Sequence, residues 1–143
     1  MKIPFVDLSK EASHCFEELI EDCKSVISSG MYINGPNVHK LETALEDKLQ
    51  VKNVVTVGNG SDAITLILRA LNIGRNDEVI VPANSFIATA WAVAAVGAIP
   101  VFCDVTDELL IDHNSVTNLV TQKTKAIIVV HLTGRVVDIS QFK

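Results

Sequence analysis

Residues 54–63 read VVTVGNGSDA, and this stretch decides the fold. A β-branched run ends at the turn Gly58-Asn59-Gly60, and an apolar helix begins directly after it. A strand that enters a helix through such a turn presents free backbone N–H groups at the positive end of the helix dipole. The stretch therefore predicts a binding site for a phosphate group, in which Gly60 allows close backbone approach and Ser61 adds a hydroxyl donor.

The chain after this stretch alternates strands with helices. The strand around Val79–Val81 and the run Ile127–Val130 are continuously apolar, which is typical of a parallel sheet covered on both faces. The sequence therefore predicts an α/β fold, mainly a parallel sheet flanked by helices. The predicted strands cover residues 54–57, 78–81, 100–105 and 126–132, and the helices between and after them cover 63–71, 86–96, 115–121 and the start of a further helix at 137–143.

The residues before the first strand have helical periodicity instead. One helix is predicted from about residue 10 to 29, with Gly30 as its C-terminal stop, and a second begins at Pro36. The second helix is expected to turn Val38, Leu41, Leu45 and Leu49 inward. We therefore divide the chain into a helical segment, residues 1–52, and a partial α/β domain, residues 53–143.

Composition excludes several classes of partner. The net charge of −5 argues against nucleic acid and against an anionic membrane surface. The uncharged stretch from Val79 to Cys103 is interrupted by Pro82 and Gly97, so we interpret it as strand, helix and strand rather than a membrane span. Three scattered cysteines without metal-ligand spacing, and no signal peptide, favour a cytoplasmic protein without a metal site.

The turn also matches the dinucleotide pattern G-x-G-x-x-A formally, but that interpretation fails a second test. A dinucleotide site needs an acidic residue at the end of the second strand, and Pro82 and Asn84 stand there instead. A simple phosphate site remains, although Asp62 would repel a phosphate unless its carboxylate points away or shares an amide partner. The alternative is that Ser61 or Asp62 only caps the helix.

Three further residues, Asn84, Phe86 and His131, fall at the carboxyl ends of predicted strands, where ligands bind in open α/β sheets. Phe86 follows Asn84 at the end of the second strand, and its ring could stack on a planar cofactor or belong to the core. His131 ends the fourth strand and is either a ligand contact or a buried histidine satisfied by the backbone. Trp91 is predicted to be a packing residue.

At this point the chain resembles the N-terminal part of the DegT/DnrJ/StrS sugar aminotransferases. The motifs that carry the resemblance are in family order and span nearly all of the 143 residues: Pro4–Leu8, Gly30 with Asn34-Gly35-Pro36, Gly58–Ala63, Glu78–Thr89 and Thr124–Leu132. The segment Ala83–Thr89 most resembles members that act at the sugar C3 position.

The resemblance implies a fold-type-I enzyme that uses pyridoxal 5′-phosphate to transfer an amino group, usually from glutamate, to a nucleotide-linked keto-sugar in polysaccharide or lipopolysaccharide biosynthesis. It implies that Gly60, Ser61 and Asp62 line the cofactor phosphate site and that Phe86 stacks on the pyridine ring. It also implies a homodimeric parent. Substrate or subunit-interface roles are expected at Tyr32, Asn34, Asn84 and His131.

In the family, an aspartate that holds the pyridine nitrogen and the Schiff-base lysine come later than residue 143. Lys123 and Lys125 precede a strand, away from the predicted site, so we expect this chain alone to be an inactive N-terminal portion. Two alternatives stay open. The parent is a sugar dehydratase of the same family, or the chain is a stand-alone phosphate- or nucleotide-binding module that a ligand would stabilise.

Overall fold

The computed structural model describes residues 3–142, apart from the side chain of Glu11. Contacts divide the chain into two units, Met1–Thr56 and Val57–Lys143. No helix within residues 3–142 combines the length and the apolar character that crossing a membrane requires.

The first unit consists of three helices: α1 (Leu8–Ser13), α2 (Phe16–Ser29) and α3 (Pro36–Leu49). The prediction of one helix over residues 10–29 is therefore wrong. The break lies at Cys15, whose φ of −126° and ψ of 15° are not helical, and the Ser13 hydroxyl competes for the Lys10 carbonyl at 2.7 Å.

The ends of the longer helices follow their sequence signals. Gly30 ends α2 in the left-handed conformation, with φ 67°, and Pro36 occupies the first turn of α3. The apolar faces, however, are not buried as predicted. Leu41 and Leu49 are 52% and 61% exposed, because no described residue covers them.

The predicted strand over residues 54–57 is absent from the described structure, since this segment pairs with no strand. Instead, every second backbone amide of the segment donates a hydrogen bond to a carboxylate of α3. The Val54 N–H donates to Glu46 Oε1, and the Thr56 N–H and Oγ1 both donate to Glu42 Oε1, each at 2.9 Å. The spacings match, because four residues of helix rise about 6 Å and two residues of extended chain about 6.7 Å. We call Glu42 and Glu46 with these two amides the carboxylate clasp.

The carboxylate clasp makes the first unit sensitive to acid. The Thr56 N–H, and then its hydroxyl, hold the pKa of Glu42 below its ordinary value of 4.5, with a smaller contribution from His39. A lowered folded-state pKa stabilises the fold above the unfolded value and is lost as the pH falls through the folded one. We expect the hydrogen-exchange protection of the Thr56 amide to fall between about pH 5 and about pH 3.

The matched control is Glu42→Gln, whose carbonyl still accepts from Thr56 but does not titrate. Its protection factor at Thr56 should start lower at neutral pH and change little on acidification. An equal acid response in both proteins would assign the effect to another group.

The second unit is a three-stranded parallel sheet with helices on both faces, and it confirms the predicted α/β class. Its strands are β1 (Glu78–Pro82), β2 (Ile99–Cys103) and β3 (Thr124–Ile127), in the order β2-β1-β3. Its helices are α4 (Gly60–Ala70), α5 (Ala88–Ala95), α6 (His113–Leu119) and a 3₁₀ turn, Ile139–Phe142. The predicted strand–helix–strand interpretation of the uncharged stretch is confirmed.

The third strand of the sheet is shorter than the predicted 126–132. The Ile128 N–H still donates to the Ile80 carbonyl at 2.9 Å. The next bond of a parallel ladder would need the amide of Pro82, which has none. Pairing therefore ends beside that proline.

Alternate residues of β1 enter two cores, one on each face of the sheet. Val79 and Val81 pack with α4 and α5, and Ile80 packs with α6 on the other face; all three side chains are fully buried. Cys103 joins the second core, where burial raises the pKa of its thiol to about 11. Trp91, predicted to pack, is 63% exposed on α5.

Candidate functional site

The carboxyl ends of β1 and β2 meet at one edge of the parallel sheet, so the loops that follow them lie at that edge. Helix α4 leads from its C-terminus into the amino end of β1 and packs against α5. Its N-terminus is therefore directed toward the same carboxyl edge. This places the turn before α4 and the loop after β1 on one side of the second unit.

Asn59 organises the start of α4. Its backbone is extended, with φ −167° and ψ 172°, and its side-chain oxygen accepts from the Asp62 N–H at 2.9 Å. Its side-chain amide donates to Asp62 Oδ2 at 3.0 Å. The alternative that Ser61 or Asp62 caps the helix is wrong, because the short side chain of Asn59 already reaches the amide three residues on.

The same contacts explain how an acidic residue is accommodated in this turn. The Asp62 carboxylate has the amide partner that an acid beside an anion site needs. Its backbone N–H, however, is used by Asn59, so the part of Asp62 that a phosphate would contact is already bonded.

Two amides remain available at the helix start. Among the described residues, no acceptor takes the N–H of Gly60 or Ser61, while the Ala63 N–H donates to the Asn59 carbonyl. The Ser61 carbonyl accepts from Thr65 Oγ1 at 2.9 Å, and the Ser61 hydroxyl makes no hydrogen bond to a described residue. Free amides at the positive end of an 11-residue helix are suited to an anion, which makes this turn a candidate phosphate site.

Gly60 leaves this site open. A Cβ built on Gly60 would meet no atom within 4 Å, whereas a Cβ on Gly58 would lie 3.2 Å from Asp62 Oδ2. Side chains added at Gly60 therefore enter free space, and the backbone there is accessible to a ligand.

Phe86 is presented at the loop after β1. Its side chain is 71% exposed, which excludes the alternative that it belongs to the core. Its carbonyl accepts from the Thr89 N–H at 3.0 Å, and Asn84 beside it is also exposed. An accessible aromatic ring thus stands at the same sheet edge as the free amides of α4.

The remaining predicted residues are distributed differently. His131 is exposed, and its Nδ1 accepts from the Val137 N–H at 3.2 Å, so the expected backbone partner is present but burial is not. Tyr32, which is 69% exposed, and Asn34, with φ 50°, belong to the first unit. The second unit therefore carries Gly60, Ser61, Asp62, Asn84, Phe86 and His131.

Sequence reasoning missed Asn59 as the organiser of the turn. The signal was present, because an asparagine three residues before an acid at a helix start is a capping pattern. The pairing of Ser85 with Thr89, 2.9 Å between their hydroxyl oxygens, was also missed. A spacing of four residues alone does not distinguish such a pair from two exposed hydroxyls.

Residues 14–143 match the DegT/DnrJ/EryC1/StrS aminotransferase family. The chain belongs to this family. The predicted resemblance is thereby confirmed, and so is the fold expected from it. A solved DegT/DnrJ/EryC1/StrS-like chain, S. venezuelae DesV in complex with a ketimine intermediate, has a TM-score of 0.94 at 34% identity, covering 99% of this chain and 38% of its own.

Two further proteins give the breadth of the similarity. The dTDP-3-amino-3,6-dideoxy-alpha-D-galactopyranose transaminase of Aneurinibacillus thermoaerophilus is 40% identical over 95% of this chain and 38% of its own length. The structure of NtdA from Bacillus subtilis with bound cofactor PMP has a TM-score of 0.93 at 33% identity, covering 98% of this chain and 33% of its own. The chain thus spans 33–38% of the lengths of these three proteins.

Proposed function

We propose that this chain supplies the phosphate- and ring-binding part of a pyridoxal 5′-phosphate-dependent aminotransferase. The parent enzyme transfers an amino group from glutamate to a nucleotide-linked keto-sugar. The observation that carries the proposal is the pair of free amides at Gly60 and Ser61 on the same sheet edge as the exposed ring of Phe86. Family membership supports the reaction class.

The residues of this edge fit the cofactor chemically. A phosphate needs several donors and no unpaired acid, and the turn offers two amides, the Ser61 hydroxyl and an Asp62 carboxylate tied to Asn59. Gly60 and Ser61 would hold the phosphate, and Phe86 would cover one face of the pyridine ring. When bound, pyridoxal phosphate supplies the electron sink on which amino transfer depends.

The substrate class rests on the relatives. The protein from Acidithiobacillus ferrooxidans described as a UDP-N-acetyl-3-dehydro-alpha-D-glucosamine 3-aminotransferase is 40% identical over 95% of this chain. Its name and that of the Aneurinibacillus transaminase both place the nitrogen at C3 of a nucleotide-linked sugar. Together with the Ala83–Thr89 segment, they support a 3-keto-sugar as the acceptor. We further propose a homodimeric, cytoplasmic parent, in keeping with three free cysteines.

Neither Lys123 nor Lys125, the lysines of the second unit that the structure describes, stands where the reaction needs one. Lys125 lies on β3 and Lys123 just before it, at the amino end of the strand, while the candidate site lies at the carboxyl edge. An amine must also lose its charge, through burial or a cationic neighbour, to act as a nucleophile, and both lysines are exposed. We therefore propose that the 143-residue chain does not transfer amino groups by itself.

The test separates binding from chemistry. Pyridoxamine 5′-phosphate is the probe, because it has no aldehyde and does not react with surface lysines. Isothermal titration should give weak binding, with a Kd of about 1 mM, and competition by inorganic phosphate. The same chain mixed with pyridoxal phosphate and glutamate should form no 2-oxoglutarate.

Each part of the proposal has its own contrary result. Robust 2-oxoglutarate formation would refute the inactivity of the chain. Failure of both pyridoxamine phosphate and inorganic phosphate to bind at millimolar concentration would remove the phosphate site. Cooperative unfolding with strong stabilisation by a nucleotide but not by pyridoxamine phosphate would favour the stand-alone nucleotide-binding module.

A further inference from the structure

The exposed ring of Phe86 is carried by a tightly bonded piece of backbone. Its carbonyl accepts from the Thr89 N–H at 3.0 Å. The hydroxyl of the preceding residue, Ser85, lies 2.9 Å from Thr89 Oγ1. Two separate hydrogen bonds to one threonine therefore bracket Phe86, although the ring itself is 71% exposed.

Thr89 is an anchored partner for these bonds. It is 6% exposed and is the buried polar residue of the core of the second unit as described. It lies in the first turn of α5, and Ala88, Ala92 and Val93 of the same helix are also buried. A buried hydroxyl requires a hydrogen-bond partner, and Ser85 provides it. The buried Thr89 therefore anchors the 85–89 turn to the core and fixes its position and orientation.

The hydroxyl pair does not serve to cap α5. The residue at the N-cap position is Ile87, which makes no side-chain capping bond. The bonds instead close the five residues 85–89 around Phe86, so their effect is concentrated on the direction in which this aromatic side chain leaves the backbone. Stacking depends on such direction, since offset or edge geometry decides the gain beyond burial.

We propose that Thr89, paired with Ser85, is a positioning residue that holds Phe86 in the orientation needed to stack on the cofactor ring. This inference rests on the proposed function, because it assigns Phe86 to the ring. Thr89 does not touch the cofactor; it acts through the backbone and through Ser85.

The test is the near-isosteric change Thr89→Val, which removes the hydroxyl and keeps the β-branch. We expect it to raise the Kd for pyridoxamine 5′-phosphate about five-fold, while the Kd for inorganic phosphate stays the same. Thr89→Ser should restore binding because the hydroxyl returns. Ser85→Ala, which disrupts the pair from its exposed side, should reproduce the effect of Thr89→Val.

A merely structural role predicts another pattern. General loosening of the unit would weaken inorganic phosphate and pyridoxamine phosphate together. The matched control Thr117→Val removes a helix hydroxyl bonded to the His113 carbonyl on α6, and it should change neither constant. In a Phe86→Ala background, Thr89→Val should have no further effect on pyridoxamine phosphate, since the ring it positions is gone.

The outcomes separate this inference from the function on which it rests. If the unsubstituted chain binds neither ligand, the proposed function fails. If it binds pyridoxamine phosphate and Thr89→Val binds it equally well, the function stands and the positioning role is overturned. The positioning role would also be overturned if Thr89→Val weakened pyridoxamine phosphate binding as much in the Phe86→Ala background as in the unsubstituted chain.

Discussion

Alanine at position 80 is expected to unfold the sheet-containing unit. Ile80 is fully buried in the central strand, between Val101 of β2 and Ile127 of β3 in the ladder. Replacing a buried isoleucine by alanine typically costs about 2–5 kcal/mol, because burial is lost and a cavity remains. A three-stranded sheet has little stability to spare, so the loss is a large share of its total.

Urea unfolding followed by far-UV circular dichroism measures this effect. The transition midpoint should fall strongly for Ile80→Ala or disappear into an unfolded baseline. The matched control is Ile139→Ala in the same unit, where the side chain is 59% exposed and the expected shift is small. Similar midpoints for the two variants would contradict the assignment of Ile80 to the core.

The substitution Gly60→Asp is expected to weaken anion binding strongly without unfolding α4. The side chain has room, since a Cβ on Gly60 meets no atom within 4 Å, and the residue does not need a left-handed backbone. A carboxylate in the first helical turn is favourable to the helix by about 0.3–1 kcal/mol. The same charge occupies the positive end of the dipole and repels a phosphate, so we expect the Kd for inorganic phosphate to rise at least about ten-fold.

Stability and binding should therefore change in opposite directions. Gly60→Asn is the control, because asparagine has the same shape without the charge and should keep more of the affinity. Thermal melting and phosphate titration on the two variants give the comparison. Equal phosphate affinities would show that the helix start is not where the anion binds.

The sheet could be predicted from the sequence because its signal is local and strong. A continuous apolar run such as Val79–Val81 is typical of a strand that is buried on both faces. Residues 54–57 carry an equally β-rich pattern, yet they form no ladder in the described chain. A strand requires a partner, and the amides of Val54 and Thr56 instead donate to side chains of α3 that lie eight and fourteen residues earlier in the sequence.

The site was predictable in its chemistry but not in its local bonding. The glycine turn and Ser61 predict an anion site from residue types alone. The exposure of Phe86 depends on what packs beside it, which a sequence pattern does not record. The role of Asn59 depends on a backbone angle that brings its side chain back onto Asp62.

The carboxylate clasp also determines which hydrogen-bonding edge of the β-rich segment 54–57 is free to pair with another chain. Val54 and Thr56 direct their amides to one side of the extended backbone, and the amide of Val55 between them points to the opposite side. The carboxylates of Glu46 and Glu42 occupy the amides on the first side. Val55 is 79% exposed, so a β-strand of another chain could pair only with the edge that carries the Val55 amide. Acid that protonates Glu42 would remove the negative charge beside Thr56, and we expect other chains to pair with this segment more readily at low pH.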